Sequence, residues 1–242
     1  MYGRHRFQSG IGPGITPMVK RLLIANGIVY LGQLFFRPLT EIGALTAAAV
    51  FHGYVWQPFT YMWLHDPFGP FHLLFNMFAL YMFGGQLEQL WGPRRFLRFY
   101  LICGVGAGLL IFITNLWLAP GVATLGASGA IYGVLTAFSL MWPDRTIMLL
   151  FPPIPIKAIW FIPLLFVLQL VSGPANVSHI GHLGGVLVAG FMLRKELARF
   201  LNLRSLGYRW NRYRMRHRLR AVRREDWERR RKPDDDQPPT LH

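Results

Sequence analysis

Long apolar runs separated by short polar, glycine- or proline-bearing stretches dominate the chain from residue 22 to residue 193. Six of them, Leu22–Phe36, Phe71–Leu87, Phe99–Leu118, Gly121–Trp142, Ala158–Val171 and Val177–Leu193, approach or reach the length needed to cross a hydrocarbon layer as helices, which takes about 20 residues. The shorter ones would be extended by snorkelling flanks such as Lys20, Arg21 and Lys157, or met by local bilayer thinning. A seventh run, Ile42–Leu64, carries no formal charge. Gly53 and Pro58 argue against a regular span there. Its aromatics Phe51, Tyr54, Trp56, Phe59 and Tyr61 suit the membrane–water interface, so the pattern predicts an interfacial outer loop.

Composition agrees with that reading. Hydrophobic residues make up 52% of the 242 positions and charged residues 15%, against roughly 25% charged in a soluble domain. Mean hydropathy is +0.29. One cysteine, Cys103, excludes an internal disulfide and any cysteine-built metal site. The net charge of +15 resembles a nucleic-acid binder's until the charges are located: 16 of the 26 Lys and Arg lie between Arg194 and Lys232, and four more are Arg4, Arg6, Lys20 and Arg21. With six spans and the N-terminus inside, Arg94, Arg95, Arg98, Arg145, Lys157 and the basic tail all fall on the cytoplasmic side, and only Arg37 is left outside. A seventh crossing would invert everything after it. The fold class expected is therefore an all-α polytopic membrane protein, a six-transmembrane-helix bundle with an interfacial first outer loop. Residues 1–19 form a short cytoplasmic tail, too rich in Gly and Pro for a signal peptide's apolar region. Residues 20–193 form the membrane domain, and residues 194–242 a basic cytoplasmic tail with an acidic, proline-bearing disordered end.

Polar residues inside spans are costly and therefore candidates for function. His72 and Asn76 open the second span, i and i+4 on one face. Ser128 lies in Gly126-Ala127-Ser128-Gly129, about seven residues into the fourth span and so roughly 10 Å deep. His182 lies five residues into the sixth, roughly 7–8 Å deep. These side chains come from three helices and share one depth. A serine beside a histidine is the minimal nucleophile–base pair for acyl transfer, and an amide, an imidazole N–H and the serine's own backbone N–H suit an oxyanion. Simpler readings stand beside it. A serine in a glycine-rich span is often helix-packing glue, Asn76 could be an interhelical hydrogen bond, and His179 with His182 at i, i+3 could ligate haem or metal. No His-Glu-x-x-His zinc site is present, and Gly-x-Ser-x-Gly is broken by Ala130.

Gly126-Ala127-Ser128-Gly129, His72-Leu73-Leu74-Phe75-Asn76 and His182-Leu183-Gly184-Gly185, taken together and in order, resemble the rhomboid intramembrane serine proteases over about residues 20–193. The resemblance implies Ser128 as nucleophile, His182 rather than His179 as base, and His72 and Asn76 as oxyanion donors. It implies Tyr132 as the ring that orients the imidazole, with Glu88 and Trp56 at structural positions. His65 resembles the family's first-loop histidine, but Asp66-Pro67-Phe68-Gly69-Pro70-Phe71 sets it two residues further from His72 than is common. Where the family often has Trp-Arg, this chain has Trp56-Gln57. The loop Ser172-Gly173-Pro174-Ala175-Asn176 is expected to help cap the site.

The function expected is an intramembrane serine endopeptidase acting on transmembrane protein substrates, without cofactor or metal. A substrate helix would unwind locally and enter beside the fifth span, with Ile154–Val171 as a gate carrying Pro155 and Pro163. The alternatives are a catalytically silent rhomboid-like binding or quality-control factor, and a transporter or haem protein. The lipid bilayer is a partner throughout. The basic tail is read as contacting anionic lipid, with no nucleic acid expected, although arginines interleaved with aromatics also suit stacking. The sequence carries no eukaryotic-looking extension, so the expected location is a prokaryotic inner membrane with both termini cytoplasmic.

Overall fold

The structure, a computed structural model, describes residues 14–149, 153–172 and 178–200. Helix α1 (Pro17–Phe35) begins five residues before the apolar run that predicted it. Pro17 takes the first helical position, where a missing N–H is harmless. The first turn is held from a distance: the Glu88 carboxylate accepts the backbone N–H groups of Met18 and Val19, each at 2.8 Å, and the Thr16 hydroxyl. A buried carboxylate is tolerable there because three donors and the positive end of a helix dipole surround it.

Residues 38–64 form short pieces, Pro38–Gly43, Ala47–Phe51, Gln57–Thr60 and the 3-10 turn Tyr61–Trp63. This is the broken segment that Gly53 and Pro58 predict, and Gly53 has φ +104°. Phe51, Tyr54, Trp56 and Phe59 are exposed as expected, but Tyr61 is buried. It was expected at the interface. Instead its hydroxyl donates to the Gly104 carbonyl at 2.8 Å, a contact between segments that aromatic content alone does not reveal.

Helix α2 (70–91) runs as Pro70–Ala79, a π turn Leu80–Gly84 and Gly85–Trp91 without interruption. Twelve steps separate Asn76 from Glu88, which on an ideal α-helix puts them about 120° apart. A π bulge takes up one residue and reduces the offset to about 20°, and both side chains are buried. One irregular turn thus lets α2 point Asn76 and Glu88 inward at opposite ends.

Helix α3 (Pro93–Leu118) leads back to helix α4 (Ser128–Met141). Strands β1 (Thr146–Met148) and β2 (Pro155–Lys157) pair antiparallel, Ile147 opposite Ile156, so the chain is not wholly helical. Helix α5 (Ala158–Ser172), helix α6 (His179–Met192) and helix α7 (Arg194–Phe200) follow. Pro163 is inside α5, but Pro155 is in β2 and not in the helix as expected.

Helix α4 is the centre, buried at every residue from Gly129 to Ser139, as a helix apolar all round should be. Small residues let its neighbours approach closely. A Cβ at Gly133 would stand 2.6 Å from Cys103 of α3, and one at Gly129 2.7 Å from Ala107. A Cβ at Gly185 of α6 would collide with the Gly129 carbonyl. These pairings make α3 antiparallel and α6 parallel to α4.

Gly121–Trp142 is not one helix. Residues 121–127 are non-helical, with Thr124 and Leu45 exchanging backbone hydrogen bonds at 2.8 Å and the Gly126 N–H donating to the Tyr61 carbonyl at 3.0 Å. The expectation that Ser128 lies seven helical residues inside is therefore corrected: Ser128 starts the helix. Among the described residues, α1 and α3 are long and apolar enough to cross a membrane by length and composition. The described chain divides into one compact unit ending at Leu197 and a second beginning at Ala198.

Candidate active site

Because α4 and α6 run parallel in backbone contact, their N-terminal ends lie together. Ser128 is the first residue of α4 and His182 the fourth of α6. The Ser178 side chain caps α6 by accepting the Gly181 N–H at 3.1 Å. His182 Nε2 is 2.8 Å from Ser128 Oγ. One turn along α4, the Tyr132 ring stacks on the His182 imidazole, with centroids 4.2 Å apart and planes at 12°. Phe166 of α5 backs Tyr132 at 5.4 Å. The imidazole, 4% exposed, is thus held by a ring stack and the serine hydroxyl. His179 is half-buried, and its Nδ1 lacks a hydrogen-bond partner among the described residues.

The approach to Ser128 depends on Gly126. Its φ of +129° disfavours any side chain, and a Cβ there would stand 2.8 Å from His72 Nε2. The His72 ring therefore lies against the backbone two residues before Ser128. Asn76, one turn further on, donates its amide Nδ2 to the His72 carbonyl at 2.9 Å. The structure thus brings His72 to the serine loop and ties Asn76 to its own helix.

His65 is fully buried, its ring 5.2 Å from that of His72 in an edge-to-face arrangement. It backs His72 rather than facing Ser128. Gln33 of α1 fixes it by a reciprocal pair, Nε2 donating to the His65 carbonyl and Oε1 accepting the His65 N–H, both at 3.0 Å. Burial, then the neighbouring His72, push the His65 imidazole down to about 3, against a smaller opposing effect of the Trp63 carbonyl. Gln57 is buried and accepts the Thr46 N–H at 3.0 Å while donating to the Ile42 carbonyl at 3.2 Å, to which Trp56 Nε1 also donates. A neutral amide thus braces the outer segment in this chain. Glu88 lies at the other end of α2, on the α1 N-terminus. The loop 173–177 lies outside the described residues.

Gln33, Tyr61 and Phe166 are the positioning contacts that residue pattern did not single out. Gln33 was discoverable, being a strong hydrogen-bonding residue inside an apolar run, the criterion that picked out Asn76. Tyr61 and Phe166 carry no such mark.

Helices packed through glycine set a half-buried serine against a buried histidine where two helices begin, the arrangement of a mostly helical protein with a serine–histidine pair at its centre. The rhomboid domain family matches residues 52–198, and the chain belongs to that family of membrane proteins, which includes proteases. It is 34% identical over 182 residues to RHOMBOID-like protein 1 of Arabidopsis thaliana, covering 68% of this chain and 43% of that one. Against Rhomboid protease GluP of Bacillus subtilis (strain 168) it is 32% identical over 179 residues, 73% of this chain and 32% of that protein. Against the mitochondrial Rhomboid protein 1 of Saccharomyces cerevisiae the values are 33% over 154 residues, 57% and 43%. The chain spans about half the length of the curated relatives it matches.

Proposed function

We propose that this chain is an intramembrane serine endopeptidase that hydrolyses peptide bonds in or near transmembrane segments of other membrane proteins. The observation that carries the reading is the 2.8 Å contact of His182 Nε2 with Ser128 Oγ under the Tyr132 stack. Ser128 Oγ attacks the scissile carbonyl carbon while His182 takes the hydroxyl proton and passes it to the leaving amine. Water activated by the same imidazole then releases the acyl group. The oxyanion is met by the Ser128 backbone N–H, the His72 imidazole N–H and the free N–H of Asn76. Two helix N-termini at the site favour that negative charge. No carboxylate is needed to orient the base, because the Tyr132 ring holds it.

In this reading the membrane domain, 20–193, crosses six times through α1 to α6, with 38–64 in the outer interface. The segments before α1 and after α6 are on the cytoplasmic side of a prokaryotic inner membrane. Helix α4 has 14 residues, about 21 Å at 1.5 Å per residue, against a hydrocarbon core of about 30 Å. With Trp142 at the cytoplasmic interface, Ser128 lies about 10 Å below the opposite surface, reached from outside by a polar opening. The substrate helix rests against α2 at an apolar recess of about 490 Å³ lined by Pro70, Phe71, Leu73, Leu74 and Met77, and unwinds toward Ser128. Helix α5, weakened at Pro163, moves to admit it. A crosslink between α2 and α5 is expected to suppress cleavage of membrane substrates, and undiminished cleavage would sink the gate.

The test is cleavage of a model transmembrane substrate in proteoliposomes by wild type, Ser128→Ala and His182→Ala. Loss in both variants supports the dyad. Survival in either overturns it, and wild-type inactivity with no fluorophosphonate labelling of Ser128 favours a non-cleaving membrane-protein binder.

A further inference from the structure

The end of the bundle opposite Ser128 carries a repeated device that proteolysis does not use. Three helices present an arginine over an aromatic ring there. Arg95 near the start of α3 lies 5.3 Å from the centroid of Trp91. Arg145, just past the end of α4, lies 5.7 Å from Phe138 and 6.0 Å from Trp142. Arg194, just past the end of α6, lies 5.6 Å from Phe191. All three arginines are exposed, as are Lys20, Arg21, Arg94, Arg98, Lys157 and Lys195 at the same end. At the Ser128 end Arg37 is the single Lys or Arg among the described residues. The acidic side chains at the basic end are few: Asp144 pairs with Lys157 at 3.0 Å, Glu88 is buried on α1, and Glu196 is half-buried.

We infer that this end of the molecule is a binding surface for phospholipids whose headgroup carries a net negative charge. A guanidinium parked on a ring is pre-oriented and weakly hydrated, and it offers a planar fork to a phosphodiester. Tryptophan beside it occupies the headgroup level of a bilayer. Arg145 gives one donor to Gln86 and keeps the others. After α7 the sequence bears Arg204, Arg209, Arg212, Arg214, Arg216, Arg218 and further arginines to Arg231, interleaved with Tyr, Trp, Met and Leu. Arginine interleaved with apolar and aromatic residues is thus also the composition of the sequence that follows, and that mixture fits a charged lipid surface better than a purely ionic partner. The inference rests on membrane residence and not on the proteolytic reading.

The test uses the full-length protein in a neutral detergent. Its binding to short-chain phosphatidylglycerol and to phosphatidylcholine of the same chain length is compared by native mass spectrometry, with thermal unfolding as a second readout. The expected result is phosphatidylglycerol binding at least about tenfold tighter, with a raised Tm that phosphatidylcholine does not produce. Arg95→Gln/Arg145→Gln/Arg194→Gln should reduce the preference by about tenfold or more. Arg95→Lys/Arg145→Lys/Arg194→Lys, which keeps charge and fold but loses the planar fork, should fall between. Equal binding of the two lipids, or a preference unchanged in the Gln variant when its gel-filtration profile and unliganded Tm match wild type, overturns the inference. So does a single-stranded RNA that displaces phosphatidylglycerol at physiological salt, which would assign the surface to nucleic acid.

Discussion

The two ends of the bundle use polar residues in opposite ways. At the Ser128 end the clustered polar side chains are neutral or weakly basic, namely Ser128, His182, His72, Asn76, Gln33 and His65. They are held by backbone groups and aromatic faces inside the protein. At the other end the polar side chains are mostly full cations and exposed, and the buried ion Glu88 is satisfied by backbone N–H groups and a hydroxyl. The difference follows from desolvation. A neutral hydrogen-bonding group can be buried once paired, whereas an ion in a low-dielectric interior needs several donors or a partner. The enclosed polar cluster is thus built mostly from uncharged groups, and the charge is left at the exposed end.

The sharpest way to break this contrast is to remove the neutral pair. Ser128→Ala or His182→Ala should lower cleavage of a transmembrane substrate by at least about a thousandfold while leaving the unfolding temperature in detergent within a few degrees of wild type. Next comes the helix contact that creates the pair. Gly185→Ala drives a methyl group into the Gly129 carbonyl, so α4 and α6 must separate. We expect a loss of about 1–3 kcal/mol together with at least a tenfold fall in turnover, read by thermal unfolding and proteoliposome kinetics. At the charged end, Glu88→Gln keeps the shape and weakens the charge-assisted hold on α1. The expected loss is about 1–3 kcal/mol, with kcat changing far less than in the Ser128 variant; an unchanged Tm would remove Glu88 from the account. Tyr132→Leu removes the stack, worth about 0.5–1.5 kcal/mol, and should lower kcat about tenfold with little change in KM.

A further effect concerns pH. His65 is held near 3 when folded and returns to about 6.5 when unfolded. The unfolded chain therefore binds a proton that the folded chain refuses. The stability this group contributes is complete above about pH 6.5 and declines as the pH falls toward 3. Thermal unfolding between pH 7.5 and 5 should show that decline, with a shallower slope in His65→Gln.

Several parts of this arrangement were legible along the chain because the membrane makes patterns extreme. The apolar runs and the broken outer segment at Gly53 and Pro58 marked out α1 to α6, and the scarcity of polar residues within the apolar runs drew attention to Ser128, His182, His72 and Asn76, without coordinates. Tyr132 and Glu88 came through resemblance; in the structure Tyr132 stacks on His182, and Glu88 accepts the first N–H groups of α1, a contact the sequence reading did not specify. Other parts were not legible. Residues 121–127 look like the start of a helix by composition, yet their hydrogen bonds go to Leu45 and Tyr61, far away in sequence. Tyr61 reads as an interfacial aromatic because burial by α3 leaves no local trace. The π turn has no signature in Leu80-Tyr81-Met82-Phe83-Gly84, and its purpose emerges only when Asn76 and Glu88 are both seen facing inward.

The sequence by itself determined the material of each region, namely which stretches are apolar enough to leave water, which end carries the arginines, and which few polar residues remain inside. These are matters of transfer free energy, which is nearly additive along a chain. Tertiary structure alone decided that α4 and α6 run parallel in glycine contact, that both begin at one point, and that Tyr132 lies beneath His182. Those depend on the distance between backbones, set jointly by Gly129, Gly133, Gly185 and Ala107. A hydrogen bond forms or fails within a few tenths of an ångström, a tolerance that no pattern of hydrophobic and polar letters encodes.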